Sequence, residues 1–311
     1  MNSIPELEEQ IRNFINSPRK QYTLLQDRAD WNKLCSSLDV VGDTELAIDA
    51  YMGSINESAT DGQKYLILYG ILQVLFVQQD AVKHMMEALG LQHEEDPILN
   101  HIRELRNDSV GHPTKRGHDK GKSFNFIVRG SMGRAGFTLM TTYPDKEPVF
   151  TSVNVPGLIH SQREILRKSL TKMIEKLKSE EMEHRKKHRG EKLEDAFPQT
   201  LTYYYEKISE SIHGGKPPEF GALHVKLVSE AIEKLKNMLM TRGLLDAYDS
   251  ISYHLDLVEY PLGELVRYFS APQDSKLNAK DAYIFLSFIR EQVDSLKHMA
   301  VEMDEEYATE L

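Results

Sequence analysis

The chain has little of what would mark it as secreted, disulfide-stapled or membrane-spanning. Its 311 residues include one cysteine, so Cys35 can form no internal disulfide and no thiol pair for a metal, which fits a reducing compartment. The first twenty residues hold Glu6, Glu8 and Glu9 and no apolar block, so they do not read as a secretion signal. The longest apolar stretch, Tyr65 to Val77, is interrupted by Gln73. A bilayer needs roughly 20 such residues, so the stretch reads as a buried central helix. These absences predict a soluble, cytoplasmic protein with no membrane partner.

An excess of basic charge is also lacking: the formal net charge is −10. Alone this argues against nucleic acid, but the distribution is uneven. Residues 1–100 carry 7 basic and 16 acidic side chains, and residues 193–311 carry 11 and 21. Residues 101–192 reverse the balance with 20 basic and 11 acidic, a net of +9. An electropositive block inside an acidic chain suits a polyanion-binding surface. A solvated charged helix is the plainer reading, particularly for residues 178–192.

With 40% hydrophobic residues there is material for a substantial core, and the length suggests two domains. Ile4, Leu7, Ile11, Phe14 and Ile15 mark a short amphipathic helix ending before Pro18. Helical patches follow at Tyr22 to Leu38 and Thr44 to Tyr51. The strongest helix covers about 63–89, with Tyr65, Tyr69, Leu72, Leu75, Phe76, Val82, Met86 and Leu89 in period and Gly90 as its cap. Pro97 opens the next helix, whose stripe is Ile98, Ile102 and Leu105; Gly111 and Pro113 end it.

After a polar loop at 114–122 the period falls to two. Phe124, Phe126 and Val128, then Phe137, Leu139 and Thr141, then Val149, Thr151 and Val153 predict a three-stranded antiparallel meander at about 123–155. The Gly130–Gly136 stretch lacks the lysine and helix of a phosphate loop and reads as a hairpin turn. A long helix then carries Ile159, Leu166, Leu170, Met173, Ile174 and Leu177 inward. Past Lys178 the stripe gives out, so Ser179 to Glu194 reads as an exposed extension or linker. Five more helical segments follow, with inner residues Leu201 to Ile212, Leu223 to Leu239, Leu245 to Val258, Leu262 to Phe269 and Ala282 to Ala300. The expected fold is mainly α: a helical domain over 1–190 with a β insertion, and an accessory helical bundle over 195–311.

Chemistry concentrates in residues 101–116, His-Ile-Arg-Glu-Leu-Arg-Asn-Asp-Ser-Val-Gly-His-Pro-Thr-Lys-Arg. Residues six apart on an ideal helix differ by about 240°, so Arg106 and His112 would not share a face. Gly111 and Pro113 relieve this by ending the helix at the histidine, leaving the imidazole on an irregular segment. Arg103 and Arg106, three apart, do share a face. Two guanidiniums and an imidazole suit a phosphodiester: arginine forks onto non-bridging oxygens, and histidine moves protons near neutrality.

The same residues resemble the HEPN superfamily, which is marked by an arginine, a following polar residue, and a histidine shortly after. Arg106, Asn107 and His112 match that pattern, and the resemblance covers roughly residues 60–180. It implies a helical bundle and metal-independent RNA cleavage without a cofactor, with Arg106, His112 and Asn107 catalytic. It also implies a homodimer whose two motifs face one cleft, a defence or stress role, and a protein antitoxin or regulator as partner. Arg103, Lys115 and Arg116 are the candidates for holding RNA, with Gln78 and Asp80 supporting the motif from behind. In toxins silenced by adenylylation a tyrosine stands two residues after the histidine. Here that residue is Thr114, so such regulation is not expected.

Other readings stay open. Arg106 and His112 could simply neutralise a helix C-terminus in an interaction scaffold. A module of this kind can also bind RNA, nucleotide or protein without cutting. Gln78, Gln79 and Asp80, with Lys83 and His84, read more plainly as a solvated stripe. His184 and His188 have a zinc-compatible spacing but no convincing partners, so they read as a charged face. Tyr203, Tyr204 and Tyr205 offer stacking surfaces, although Tyr205 fits the core stripe.

Overall fold

A computed structural model describes residues 2–54, 59–116 and 122–309. It is mainly helical with a small three-stranded antiparallel sheet, as the periodicities predict. The chain divides into two compact units. One comprises residues 1–16 and 24–177, the other 17–23 and 178–311.

In the first unit, α1 (Ile4–Ile15) begins with a capping box between Ser3 and Glu6 and buries Ile4, Leu7, Ile11 and Ile15. The two patches expected before residue 51 are instead α2 (Pro18–Leu25), most of which belongs to the second unit, and α3 (Arg28–Ser54). The break falls at Asp27, whose carboxylate caps α3 by accepting from the N–H groups of Ala29 and Asp30. Nothing interrupts α3 near residue 40, because Asp39 and Asp43 simply point outward while Leu38 and Val41 stay buried.

Helix α4 (Asp61–Ala88) is framed by a Thr60–Gln63 capping box, and Gly90, at φ 65°, follows its end. By length and composition α4 is apolar enough to cross a membrane, with mean hydropathy 1.4 over its best 18 residues. The stretch is thus longer than the interruption at Gln73 suggested. It packs against α3 and against α5 (Pro97–Arg106). Tyr69 and Ile98, expected inside, are 40% and 46% exposed, and Leu68 and Leu99 take the inner positions.

The sheet comprises β1 (Phe124–Ile127), β2 (Gly136–Tyr143) and β3 (Lys146–Asn154) in sequential order. Phe137, Leu139 and Val153 are buried as expected, but in β1 the buried residue is Asn125, and Phe126 is 51% exposed. The alternation was right and the face inverted: Thr141, opposite Asn125 in the register, donates its hydroxyl to Asn125 Oδ1. Gly136 is required at φ 133°, because a Cβ there would lie 1.8 Å from the Val153 carbonyl oxygen.

Two apolar clusters fill the unit, one around Leu34, Val82, Met85, Leu166 and Leu170, the other around Ile48, Leu72, Leu75, Ile102 and Ile159. On α3, α4 and α6 (Val155–His188) a polar layer lies between them. Gln78 donates to Glu45 at 2.7 Å, Gln79 to Gln162 at 2.7 Å, and Gln162 to Gln78 at 2.9 Å. Arg163 pairs with Glu45 at 2.7 Å. Gln78 is 0% and Gln79 5% exposed, so the expectation of a solvated stripe is overturned for these two, while Lys83 and His84 are exposed. Mutual hydrogen bonding removes the cost of burying these amides and fixes the axial register of three helices.

In the second unit, α7 (Leu201–Ile212), α8 (Pro218–Thr241), α9 (Asp249–Ser270) and α10 (Ala279–Ala308) share one apolar core. Helix α9 runs unbroken through Pro261, joining what the sequence suggested as two segments. Leu223 is 52% exposed, and Val225 and Val228 take its place in the core of α8.

The boundary also moves. Residues 178–188 continue α6 and belong to the second unit, so domain limits of 1–190 and 195–311 place the division too late. This end of α6 is anchored by polar contacts that an apolar count cannot register. Burial pushes the Glu181 carboxyl up, and the Arg185 and Arg19 guanidiniums more than reverse it. His184 Nε2 lies 2.7 Å from the Tyr307 hydroxyl, and His188 is 7% exposed. The two histidines are therefore packed groups, not a charged face.

Burial, with Arg19 and His188 nearby, lowers the His184 pKa to about 4. The unfolded chain then binds a proton near the ordinary histidine value, and the folded chain does so only in stronger acid. Stability is full above pH 6.5 and falls as pH drops from there toward 4. His184 is half-buried, so solvent screening holds the loss to on the order of 1–2 kcal/mol. Urea midpoints across that window should fall for the parent and flatten in His184→Gln. A parallel decline in both would assign the pH dependence elsewhere.

Candidate functional site

Helix α5 is set by its first turn. Asp96 caps it, accepting from the N–H groups of Ile98 and Leu99, and Pro97 supplies a preformed φ. Its last turn carries Arg103 and Arg106. The helix then widens into a π turn over Asn107–Gly111, closed by the His112 N–H donating to the Asn107 carbonyl at 2.7 Å. Such turns recur at functional sites because they redirect side chains without ending the helix. His112 leaves the helical conformation at φ −138° and ψ 50°. The arginine and histidine thus stand at opposite ends of one widened turn, and the ideal-helix angle no longer applies.

Arg106 is gripped from three sides. Its Nε and Nη2 donate to Gln73 Oε1 at 2.9 and 2.7 Å, and Nη1 donates to Asn107 Oδ1 at 2.9 Å. Its guanidinium carbon lies 4.5 Å from the Phe76 ring centroid, and that of Arg103 lies 4.0 Å from the same ring. All the partners of Arg106 are neutral. Among the described residues no carboxylate pairs with it. The His112 imidazole is exposed and makes no hydrogen bond or ion pair among them.

The other predicted cations divide. Arg103 pairs with Asp80 at 2.8 Å, which ties Asp80 of α4 to the last turn of α5. Arg116 pairs with Glu104 at 2.6 Å and Asp108 at 2.7 Å, and its backbone pairs with Ser123. It clamps the segment after the motif onto α5, and its charge is not free for RNA. Lys115 is exposed and makes no ion pair among the described residues. Gln78 belongs to the polar layer in the core and does not touch the motif. Asn107 holds the arginine, not the histidine. Part of the loop expected at 114–122, residues 117–121, lies outside the described residues.

Sequence reasoning missed Gln73 and Phe76. The signal for Gln73 was present as the one amide interrupting the apolar stretch of α4. Phe76 was assigned to the core stripe, where it is only partly buried.

Gly111 makes the arginine's position specific. A Cβ there would meet Arg106 Nη1 at 2.9 Å and Asn107 Oδ1 at 3.3 Å. These are ends of flexible side chains, so Gly111→Ala should leave stability within about 1 kcal/mol while displacing the guanidinium. The affinity of any anion held by Arg106 should fall roughly tenfold, since a misplacement of about 1 Å costs that or more. A variant with unchanged anion affinity would mean that the arginine's seat is not needed.

No protein-family model matches the chain, and no curated protein or solved structure matches it either.

Proposed function

We propose that this chain is a HEPN-type endoribonuclease that cuts RNA without a metal ion. The observation that carries the reading is a half-buried guanidinium, Arg106, held among the described residues only by neutral groups, one widened turn before an exposed His112 whose imidazole makes no hydrogen bond or ion pair among them. A cation seated against an aromatic ring and two amide oxygens keeps its full charge for an incoming anion. Arg103 and Arg116, by contrast, have theirs taken by carboxylates.

In the proposed reaction the ribose 2′-OH attacks the adjacent phosphorus. Its proton passes to a histidine, the P–O5′ bond breaks, and the 5′ oxygen is protonated as it leaves. Arg106 faces the charge that grows on the non-bridging oxygens. The products are a 2′,3′-cyclic phosphate and a 5′-OH end. One histidine serves as base and a second as acid, so a homodimer meeting through the motif face completes the site. The outer stripe of α4 beside Gln73 and Phe76 supports that pairing, with Leu66 75% and Tyr69 40% exposed. A cytoplasmic role in defence or stress, restrained by a protein antitoxin or regulator, follows from the same reading.

The test is end-labelled single-stranded RNA incubated with purified protein in chelator. Cyclic-phosphate ends are expected, and the same strand with 2′-deoxyribose at the cut position should resist. Cleavage that needs added metal, or that proceeds on the deoxy strand, would sink the proposal. If RNA is bound with a steep salt dependence but never cut, the silent-module reading replaces it.

A further inference from the structure

The outward face of the sheet lies opposite the apolar cluster that Phe137, Leu139 and Val153 join. In the register Phe126 lies opposite Met140, and Met140 opposite Phe150, so the three side chains form one row on the same face. Phe126 is 51% and Phe150 62% exposed. By the register Phe124, Thr142, Thr138, Ser152, Gly136 and Asn154 share this face, and none of them is a carboxylate. Two rings separated by two strand spacings stand roughly 10 Å apart, suited to separate bases of a strand whose stacking has been opened.

The charge around the face fits a polyanion. Arg129 and Arg134, in the connection between β1 and β2, are exposed and make no ion pair among the described residues, and neither does Lys115 beyond the other end of β1. The sheet is also fastened to the motif segment: the Asn125 N–H donates to the Pro113 carbonyl at 2.8 Å, and the backbones of Ser123 and Arg116 pair. Phe124 therefore follows directly on a residue tied to the chain four positions past His112.

We infer that this face is a stacking surface for single-stranded RNA, with Phe126 and Phe150 each taking an unpaired base and Arg129, Arg134 and Lys115 following the phosphates. Exposed aromatics on a sheet stack bases with little sequence preference. An exposed strand edge carrying such residues otherwise invites aggregation. The inference rests on the proposed RNA substrate. It explains how a strand is kept single and led to Arg106 and His112 without being read for sequence.

The probe is a fluorescein-labelled 2′-O-methyl oligouridine, which cannot be cut, titrated against full-length protein by anisotropy. Phe126→Ala and Phe150→Ala should each weaken binding roughly tenfold, the double variant more, and Phe126→Trp should retain it. Melting temperatures should stay at the parent value, because both rings are exposed. A duplex of the same length should bind the parent and Phe126→Ala alike. Unchanged affinities in the alanine variants, with the parent binding normally, overturn the stacking surface and leave the catalytic reading intact. Failure of the parent itself to bind overturns both. If the alanine variants shift the sedimentation coefficient instead of the affinity, the face is a contact between copies of the chain, and the inference fails.

Discussion

His112→Ala should lower the single-turnover rate of RNA cleavage by about 10²–10⁴-fold at neutral pH, the span a positioned proton-transfer group contributes. RNA affinity should stay close to that of the parent, because the imidazole is exposed, makes no hydrogen bond among the described residues and supports no neighbouring element. Arg106→Ala should cost about 10²–10³-fold, as for the loss of one donor to a developing anion, and should weaken binding as well. Arg106→Lys should recover little. An ammonium cannot fork between Gln73 Oε1 and Asn107 Oδ1 while facing a phosphate, and it stacks less well on Phe76. Gln73→Leu is the companion test. It removes the acceptor for two guanidinium N–H groups while leaving charge and chemistry in place, so it should lower the rate less than Arg106→Ala and leave its pH profile unmoved. If His112→Ala cuts RNA as fast as the parent, the histidine is only the end of a helix.

The parts of this site legible in the sequence were those whose chemistry is local. Gly111 and Pro113 flank His112 and fix where regular helix ends, and Arg103 and Arg106 lie within one turn. What could not be read is what α4 presents to α5. Gln73, Phe76 and Asp80 lie 33, 27 and 23 residues from their partners Arg106, Arg103 and Arg103, and only tertiary packing brings them together. Asp80 could be suspected by its charge. Gln78, two residues away, could not be told from it, although one faces the motif and the other the core.

The same limit explains the strand error. Period two fixed the alternation in β1, but a polar residue turned inward, Asn125, cannot be foreseen until Asp108 and Thr141 are known to receive it. The end of α6 is a third case. A helix that loses its apolar stripe looks solvated, yet residues 178–188 are bound through Glu181, His184 and Arg185. Part of the electropositive block at 101–192 is therefore occupied within the second unit, although Lys178, Lys186, Lys187 and Arg189 stay exposed there and make no ion pair among the described residues.

Asp304→Ala should destabilise the second unit by about 3–5 kcal/mol, the range for removing one partner of a buried charge pair. Arg242 is 3% exposed, and its guanidinium faces Asp304 at 3.5 Å, the Glu191 carbonyl, and the Tyr307 ring at 5.4 Å. Without the carboxylate an uncompensated cation is left in the core. Asp304 does more than neutralise. Its two oxygens accept from the N–H groups of Leu193 and Glu194 at 2.9 Å each, capping the turn at 193–196 that leads into the bundle. The two roles separate in a double variant. Arg242→Met with Asp304→Leu removes both charges and fills their volume, so the ionic part of the loss should be recovered. The two backbone N–H groups remain without acceptors, and about 1–3 kcal/mol should persist. Asp304→Asn should fall between, keeping one side-chain acceptor oxygen and losing the charge. Urea unfolding followed by far-UV circular dichroism gives all three values. A loss under about 1 kcal/mol in Asp304→Ala, the scale of an exposed pair, would mean that water reaches Arg242 and that this corner of the bundle is open.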